Sequence, residues 1–296
     1  MASSPSASAE RFPAAPPPVD RPECLISVDV EDWRDARLAG NAGGGDLPAP
    51  AVTRALHRML GLFAARGARA TFFVLARLAR HHPALVRALA RDHEVATHGM
   101  THADLRGLDR AGLKAQIGDS RRLLEDLCGR PVRGYRSPNW SLGAALPWGA
   151  EVIAAEGLAW DSSLIPGRGL AFLPGAPVDR RPHRLAGTPV WEFPPTVVDL
   201  GVGSFPAAGG AFLRTLPAGV VLSILARARR RGETPHLHLH PWEFGADDGG
   251  LGPDGWRGRF LRAGAGGLPA KLDAVLTRFR GAAIGDHADA LDARAA

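Results

Sequence analysis

Cysteine is almost missing from this chain: Cys24 and Cys128 stand alone and far apart in its 296 residues. With no C-x-x-C pair and no regular spacing, thiolate zinc sites, dithiol redox chemistry and a disulfide-stapled secreted fold are all disfavoured. Long apolar runs are missing too. No stretch approaches the roughly 18 consecutive apolar residues of a membrane span, so any membrane contact would be peripheral. Met1 to Pro22 is rich in Ala, Pro and Ser but has neither a basic start nor an apolar centre. It does not read as a signal peptide. Residues 1–22 are expected to be a disordered leader, and the protein to be soluble and cytoplasmic.

The basic charge is nearly all arginine and gives a net +6. Its one local cluster, Arg227, Arg229, Arg230 and Arg231, has no interleaved aromatics and reads as a solvated helix end. A nucleic-acid partner is therefore not expected. The basic balance tilts mildly toward an anionic polymer or membrane-adjacent substrate. Nothing in the sequence sets an oligomeric state.

What the chain does have is alternation of strand and helix. Cys24–Val30 is a strand pattern that breaks into Glu31-Asp-Trp33. After a glycine-rich loop ending at Pro48, residues 51–66 have helical periodicity through Leu56, Met59, Leu60 and Phe63, with Gly67 as stop signal. Strands follow at 70–74 and 93–97, with a helix over 79–91 between them. A further helix is expected over 113–127 and a short strand over 132–135, then a helix near 151–156. Later strands are expected at 189–193 and 235–240, and helices within 211–231 and over 268–280. Residues 166–188 and 245–267, rich in Gly, Pro and Arg, read as long surface loops. This rhythm predicts a parallel sheet covered by helices, and the length suits a barrel of about 250 residues.

Asp29, His98, Arg136, Asp161 and His240 each fall at or just beyond a strand's C-terminal end. In parallel α/β folds that edge is where loops converge into sites. His98-Gly-Met-Thr-His102 places two imidazoles at i, i+4, which on a helical turn would share one face and make half of a zinc site. A carboxylate from Asp29, Glu31 or Asp32 would complete a three-ligand set with room for water, and a second could take that water's proton. Arg136 could grip a carboxylate bidentately. In Arg136-Ser-Pro-Asn-Trp140, Pro138 would stiffen the loop and Trp140 offer an apolar wall for a sugar ring. His236, His238 and His240 share a strand face. His240 at its mouth is the functional candidate, the other two reading as hydrogen-bonded core histidines. Asp161 could pair with His240 and keep it protonated.

In this order, Asp29-x-Glu31-Asp32, His98-x-x-x-His102, Arg136-x-Pro138-x-Trp140, Asp161-Ser-Ser and Leu239-His240-Pro-Trp-Glu resemble the five motifs of polysaccharide deacetylases, the NodB-homology, carbohydrate esterase family 4 enzymes. The subgroup with Val-Asp-Val-Glu-Asp-Trp and His-Pro-Trp-Glu, which has a C-terminal extension, is most similar. The resemblance spans residues 24–285. It implies an α/β fold, a distorted TIM-like (β/α) barrel of seven parallel strands over 23–285, with 286–296 left as a flexible tail. It also implies a divalent metal, usually Zn²⁺, and hydrolysis of an N-acetyl group from an amino sugar in a glycan. Asp29 would be the base, Arg136 its orienting partner, His98 and His102 metal ligands, and His240 the acid supported by Asp161. Much of the family has two adjacent aspartates where Val30 follows Asp29 here, so the carboxylate ligand is Glu31 or Asp32. Trp33, Tyr135, Pro138, Trp140 and Trp242 are the candidate substrate contacts, with the Tyr135 backbone N–H facing the oxyanion. The alternatives are an allantoinase-like hydrolase of small amides and a carbohydrate-binding barrel without catalysis.

Overall fold

The computed structural model describes residues 21–35, 50–143, 147–169, 175–185, 187–244 and 255–295. The expected leader (except Arg21 and Pro22), the glycine-rich stretch before Pro50 and the first part of the 245–267 loop lie outside them. In chain order the strands are β1 (Glu23–Val30), β2 (Thr71–Val74), β3 (Glu94–Thr97), β4 (Gly134–Tyr135), β5 (Trp160–Asp161), β6 (His183–Arg184), β7 (Trp191–Glu192), β8 (Val198–Asp199), β9 (Ser204–Phe205), β10 (His236–Leu239) and β11 (Arg280–Ala282). The helices are α1 (Pro50–Arg66), α2 (Ala76–His81), α3 (Pro83–Asp92), α4 (Arg110–Cys128), α5 (Pro147–Ala155), α6 (Gly210–Thr215), α7 (Ala218–Arg230), α8 (Trp256–Arg262), α9 (Leu268–Arg278) and α10 (Ile284–Ala295).

The strand order β10-β1-β2-β3-β4-β5-β7 is parallel throughout, giving the seven parallel strands expected. Antiparallel β6 ends the sheet, and β11 adds to β1 at Glu23–Leu25. The sheet is curled rather than closed strand to strand. The outer edge of β10 is met by the 196–209 segment, where Thr196 N–H donates to the His236 carbonyl and His238 N–H to that of Ala208.

Alternation decides what faces the inside. Cys24, Ile26, Val28 and Val30 of β1 join Phe72, Leu237 and Leu239 in the main core, against Leu56, Met59 and Phe63 of α1 and Leu272 and Leu276 of α9. Leu25 points the other way, into a second cluster with Phe73, Trp160 and Phe193. Above that apolar floor the same inward rows carry Ser27 and Asp29 on β1 and His236 and His238 on β10. The interior therefore changes from apolar to polar toward the C-terminal ends of the strands.

Two expected helices are broken by proline. The 79–91 helix is α2 and α3, parted at His82 before Pro83, because proline lacks an N–H and disfavours helical geometry in the preceding residue. The 211–231 helix is likewise parted at Pro217 into α6 and α7. The 286–296 tail is a correction: it is helical through Ala295 as part of α10. Ile284 and Ala288 seal the apolar floor of the barrel. Asp286, Asp289 and Asp292 meet Arg69, Arg133 and Arg184 one turn apart. These pairs are exposed and contribute up to about 1 kcal/mol each, whereas burying Ile284 contributes roughly 1.5–3 kcal/mol.

Candidate metal centre and active-site cleft

A cleft of about 240 Å³ opens over Asp29, Glu31, His98, His102, Trp140 and His240, walled on its far side by Arg214, Phe260 and Leu261. Glu31 lies at the exit of β1, where its N–H donates back to the Asp29 carbonyl at 3.0 Å. Its Oε2 is 2.9 Å from His102 Nε2 and 3.6 Å from His98 Nε2, and its Oε1 is 3.7 Å from His240 Nε2. One ligand atom from each of Glu31, His98 and His102 falls within 4.8 Å of the others.

The two histidines meet, but not as a helical turn. Residues 98–102 are a loop, and Gly99 at φ +88° folds it back, a conformation that only glycine adopts cheaply. The loop is pinned by Gly99 N–H to Thr97 Oγ1 and by Met100 N–H to the Gln116 carbonyl. His98 Nδ1–H donates to the Arg136 carbonyl at 2.8 Å, which leaves its Nε2 lone pair facing Glu31. Asp32, the other carboxylate kept open, takes no part in the cluster. It is fully buried and accepts from the Arg34 N–H and from Nε and Nη2 at 2.9 and 3.0 Å, capping the turn Trp33–Asp35.

Asp29 stands beside this cluster. Its Oδ1 accepts from Arg136 Nη1 at 2.7 Å, and its Oδ2 is 3.9 Å from His240 Nε2. Burial pushes the Asp29 carboxyl up, but Arg136 and then His98 and His240 outweigh it and hold it below the ordinary range. Arg136 is completely buried, a costly position that is fully compensated. It also donates to Ser27 Oγ and to the Ser162 carbonyl and Oγ, and its guanidinium is sandwiched between Phe73 and Trp140 at 4.2 and 4.5 Å. Asn139 and Trp140 both sit in the left-handed region, at φ +53° and +55°, strain that delivers the indole onto the arginine.

His240 has a different partner from the one the sequence suggested. Its Nδ1–H donates to Glu243 Oε2 at 3.1 Å, so Nε2 faces the cleft, and Trp242 stacks on its ring at 5.2 Å. Burial pushes His240 down, but the bond and charge of Glu243, aided by Glu31 and Asp29, bring it to about 9. Glu243 is in turn held by Arg214 Nε at 2.8 Å, both side chains being buried. Asp161 lies elsewhere in the buried network. It accepts from the Ser163 N–H and Oγ–H, and it is hydrogen-bonded to Glu192, which accepts from the Leu164 N–H. Burial raises Asp161 to about 6, and burial together with the adjacent Asp161 raises Glu192 well above the usual carboxylate range.

Of the expected substrate contacts, Trp140 and Trp242 line the cleft. Trp33 packs partly buried on the main core, and Pro138 is buried at the start of the turn Pro138–Trp140. The Tyr135 side chain is sealed in a core cluster with Leu113, Ile117 and Ile153, its hydroxyl without a hydrogen-bond partner among the described residues. Glu243 and Arg214 are site residues that the sequence reading missed, and Glu192 is the unforeseen partner of Asp161. The i, i+3 spacing of His240 and Glu243 on a tight turn is a usable signal for the first. Arg214 lies too far along the chain for any local pattern to reveal it.

His236 and His238 lie deeper, as expected. His236 bonds Ser27 Oγ at 2.9 Å and the Pro194 carbonyl. His238 departs from the expected hydrogen-bonded state: among the described residues its Nδ1 has no hydrogen-bond partner. The ring packs edge-on against Trp140, and a Cβ at Gly209 would fall 2.0 Å from that nitrogen. Burial, then the charges of His240 and Arg136, push His238 down to about 3. An unfolded histidine titrates near 6.5, so between these limits the unfolded chain binds the extra proton. Stability is complete above about pH 6.5 and falls as the pH drops toward 3, by up to about 1.4 kcal/mol per pH unit for this group. His238→Phe should flatten the melting temperature between about pH 6.5 and 4. An unchanged slope in the variant would show that the burden lies elsewhere.

This curled parallel sheet with its chemistry at the C-terminal strand ends defines a NodB-type α/β half-barrel. Residues 46–151 match the polysaccharide deacetylase family model, and residues 162–284 match a domain of unknown function (DUF3473). Residues 46–151 are thus a polysaccharide deacetylase family-model domain. It is 37% identical over 97 residues to a chitooligosaccharide deacetylase of Azorhizobium caulinodans, covering 31% of this chain and 44% of the relative. The similar relative in Sinorhizobium fredii is 36% identical over 95 residues, covering 31% and 43%. The matched stretch thus spans under half the length of these curated relatives. Among solved structures, a protein of Mycobacterium smegmatis described as a polysaccharide deacetylase aligns with TM-score 0.59 at 20% identity, over 97% of this chain and 96% of that one. The PuuE allantoinase aligns with TM-score 0.59 at 18% identity, over 92% and 90%. These likenesses establish the fold. The first family match holds His98, His102 and Arg136; the second holds Arg214, His240 and Glu243. Among the described residues no helix is long and apolar enough to cross a membrane.

Proposed function

We propose that this protein removes N-acetyl groups from an amino sugar in a polysaccharide or glycan intermediate, releasing acetate, with a divalent metal held by Glu31, His98 and His102. The observation that carries this reading is the convergence of those three ligand atoms beside the Asp29–Arg136 pair and the His240–Glu243 pair. The donor set fits a metal. His98 is fixed in the tautomer that frees Nε2, Glu31 is held well below its usual range against burial by His102 and His98, and two imidazoles plus one carboxylate suit zinc. A bound divalent cation would supply acidification of a water and polarisation of the acetyl carbonyl.

The chain's own groups then divide the proton work. Asp29, kept ionised and oriented by Arg136, takes the proton of the attacking water. His240, with Nδ1–H fixed on Glu243, presents Nε2–H to the departing amine. Trp140 and Trp242 line the cleft and offer it apolar faces, the usual way a small site orients a ligand that is polar at its edges.

The test is acetate release from N-acetylated oligosaccharides, run beside turnover of ureides, with chelator and with added Zn²⁺. We expect acetate release that chelator abolishes and Zn²⁺ restores, and little ureide turnover. His98→Ala should lose both the bound metal, by elemental analysis, and the activity. Full acetate release from metal-free protein would overturn the metal assignment, and ureide turnover without acetate release would turn the reading to a small-amide hydrolase.

A further inference from the structure

Among the described residues five large apolar side chains stand exposed, and two of them share the seven-residue helix α8: Trp256 at 64% and Phe260 at 43%. Spaced i, i+4, they lie on one face about 6 Å apart along the axis, comparable with one pyranose unit of a β-linked chain. Phe260 lines the cleft that holds His240 and Trp242, so this face continues the site's own wall outward. Exposed aromatics gathered beside a cleft are a binding signature rather than an accident of the surface.

The helix is also held in a fixed place. Gly258 and Leu261 are buried on its other side. Arg214 Nη1 donates to the carbonyls of Phe260 and Ala263 at 3.1 and 2.8 Å, while Arg214 Nε holds Glu243. One buried guanidinium therefore ties the aromatic face to the acid–histidine pair. The Arg257 guanidinium lies over the Trp256 ring, 5.6 Å from its centroid, so N–H donors for sugar hydroxyls stand beside this aromatic pair.

We propose that Trp256 and Phe260 form a stacking platform for the sugar ring that flanks the acetylated residue, so that the protein takes a polymeric or oligomeric glycan in preference to a single amino sugar. This rests on the deacetylase reading above for the identity of the ligand. The test is calorimetric binding of β-1,4-linked N-acetylglucosamine, monomer against hexamer, to an Asp29→Asn protein that does not consume them. The hexamer is expected to bind roughly tenfold more tightly than the monomer, with Trp256→Ala collapsing that ratio toward one and Trp256→Phe restoring most of it. An unchanged ratio in Trp256→Ala, or no ratio in the parent, overturns the platform. Acetate release supplies the separate check. Its absence on every N-acetyl glycan, with length-dependent binding intact, would sink the deacetylase reading and leave the platform. Acetate release with a ratio indifferent to Trp256 would do the reverse.

Discussion

Asp29→Asn is expected to lower kcat for acetate release roughly 10²–10⁴-fold, the range a positioned general base supplies, while metal content stays at the wild-type level. The substitution is close to isosteric, and the amide oxygen can still accept from Arg136 Nη1. What it removes is the charge that could receive a proton. Arg136 then lacks its counter-ion but keeps Ser27, the Ser162 carbonyl and hydroxyl, and the two aromatic faces, so the chain should fold with a modest loss of stability. The ligand atoms belong to Glu31, His98 and His102, all of which the substitution leaves in place. Loss of activity with metal retained is thus the signature of a base beside the centre. A variant with near wild-type kcat would reject that role, and one that loses its metal would make Asp29 a ligand.

Much of this site is legible in the sequence because its residues lie at strand ends, where alternation alone fixes the side that faces in. Ser27 and Asp29 follow from the apolar row Cys24, Ile26, Val28, Val30, and His240 follows from His236 and His238. His98 and His102 do pair, but the geometric reason that suggested it does not hold: the positive φ of Gly99, not helical spacing, brings them together. Local spacing shows that two residues can meet and leaves open how. Asp161 shows the converse. It does lie at a strand end, yet the partner of His240 is three residues along its own chain. The α10 helix is hidden by an Ala/Asp/Arg composition that resembles a tail, and only Ile284 and Ala288 against the barrel floor show why it is ordered. Helix α8 is hidden in the same way, inside a segment whose glycines and arginines read as loop. Arg214 is beyond reach from the sequence, since its three partners are 29, 46 and 49 residues away.

That distant arginine gives the second large effect. Arg214 and Glu243 are a buried ion pair, and removing one member strands the other: Arg214→Met is expected to cost about 3–5 kcal/mol of stability by urea unfolding. If the pair served only the fold, two apolar residues of similar volume would do as well, since replacing a buried pair outright is often neutral or stabilising. Arg214→Met with Glu243→Leu should therefore recover most of the stability lost in the single variant. It should not recover turnover. Without Glu243 the His240 Nδ1–H loses its acceptor, the ring is free to rotate and change tautomer, and Nε2 no longer presents a proton to the cleft. We expect kcat to remain down by roughly 10²-fold or more in the double variant, while KM changes far less. Arg214→Lys, which keeps the charge but not the fork, should lie between the two in both properties. A stable double variant with wild-type kcat would mean that the Arg214–Glu243 pair merely holds the fold. Stability regained without turnover would mean that residues 162–284 carry the support of the acid, and that the candidate site is assembled from both matched regions of the chain.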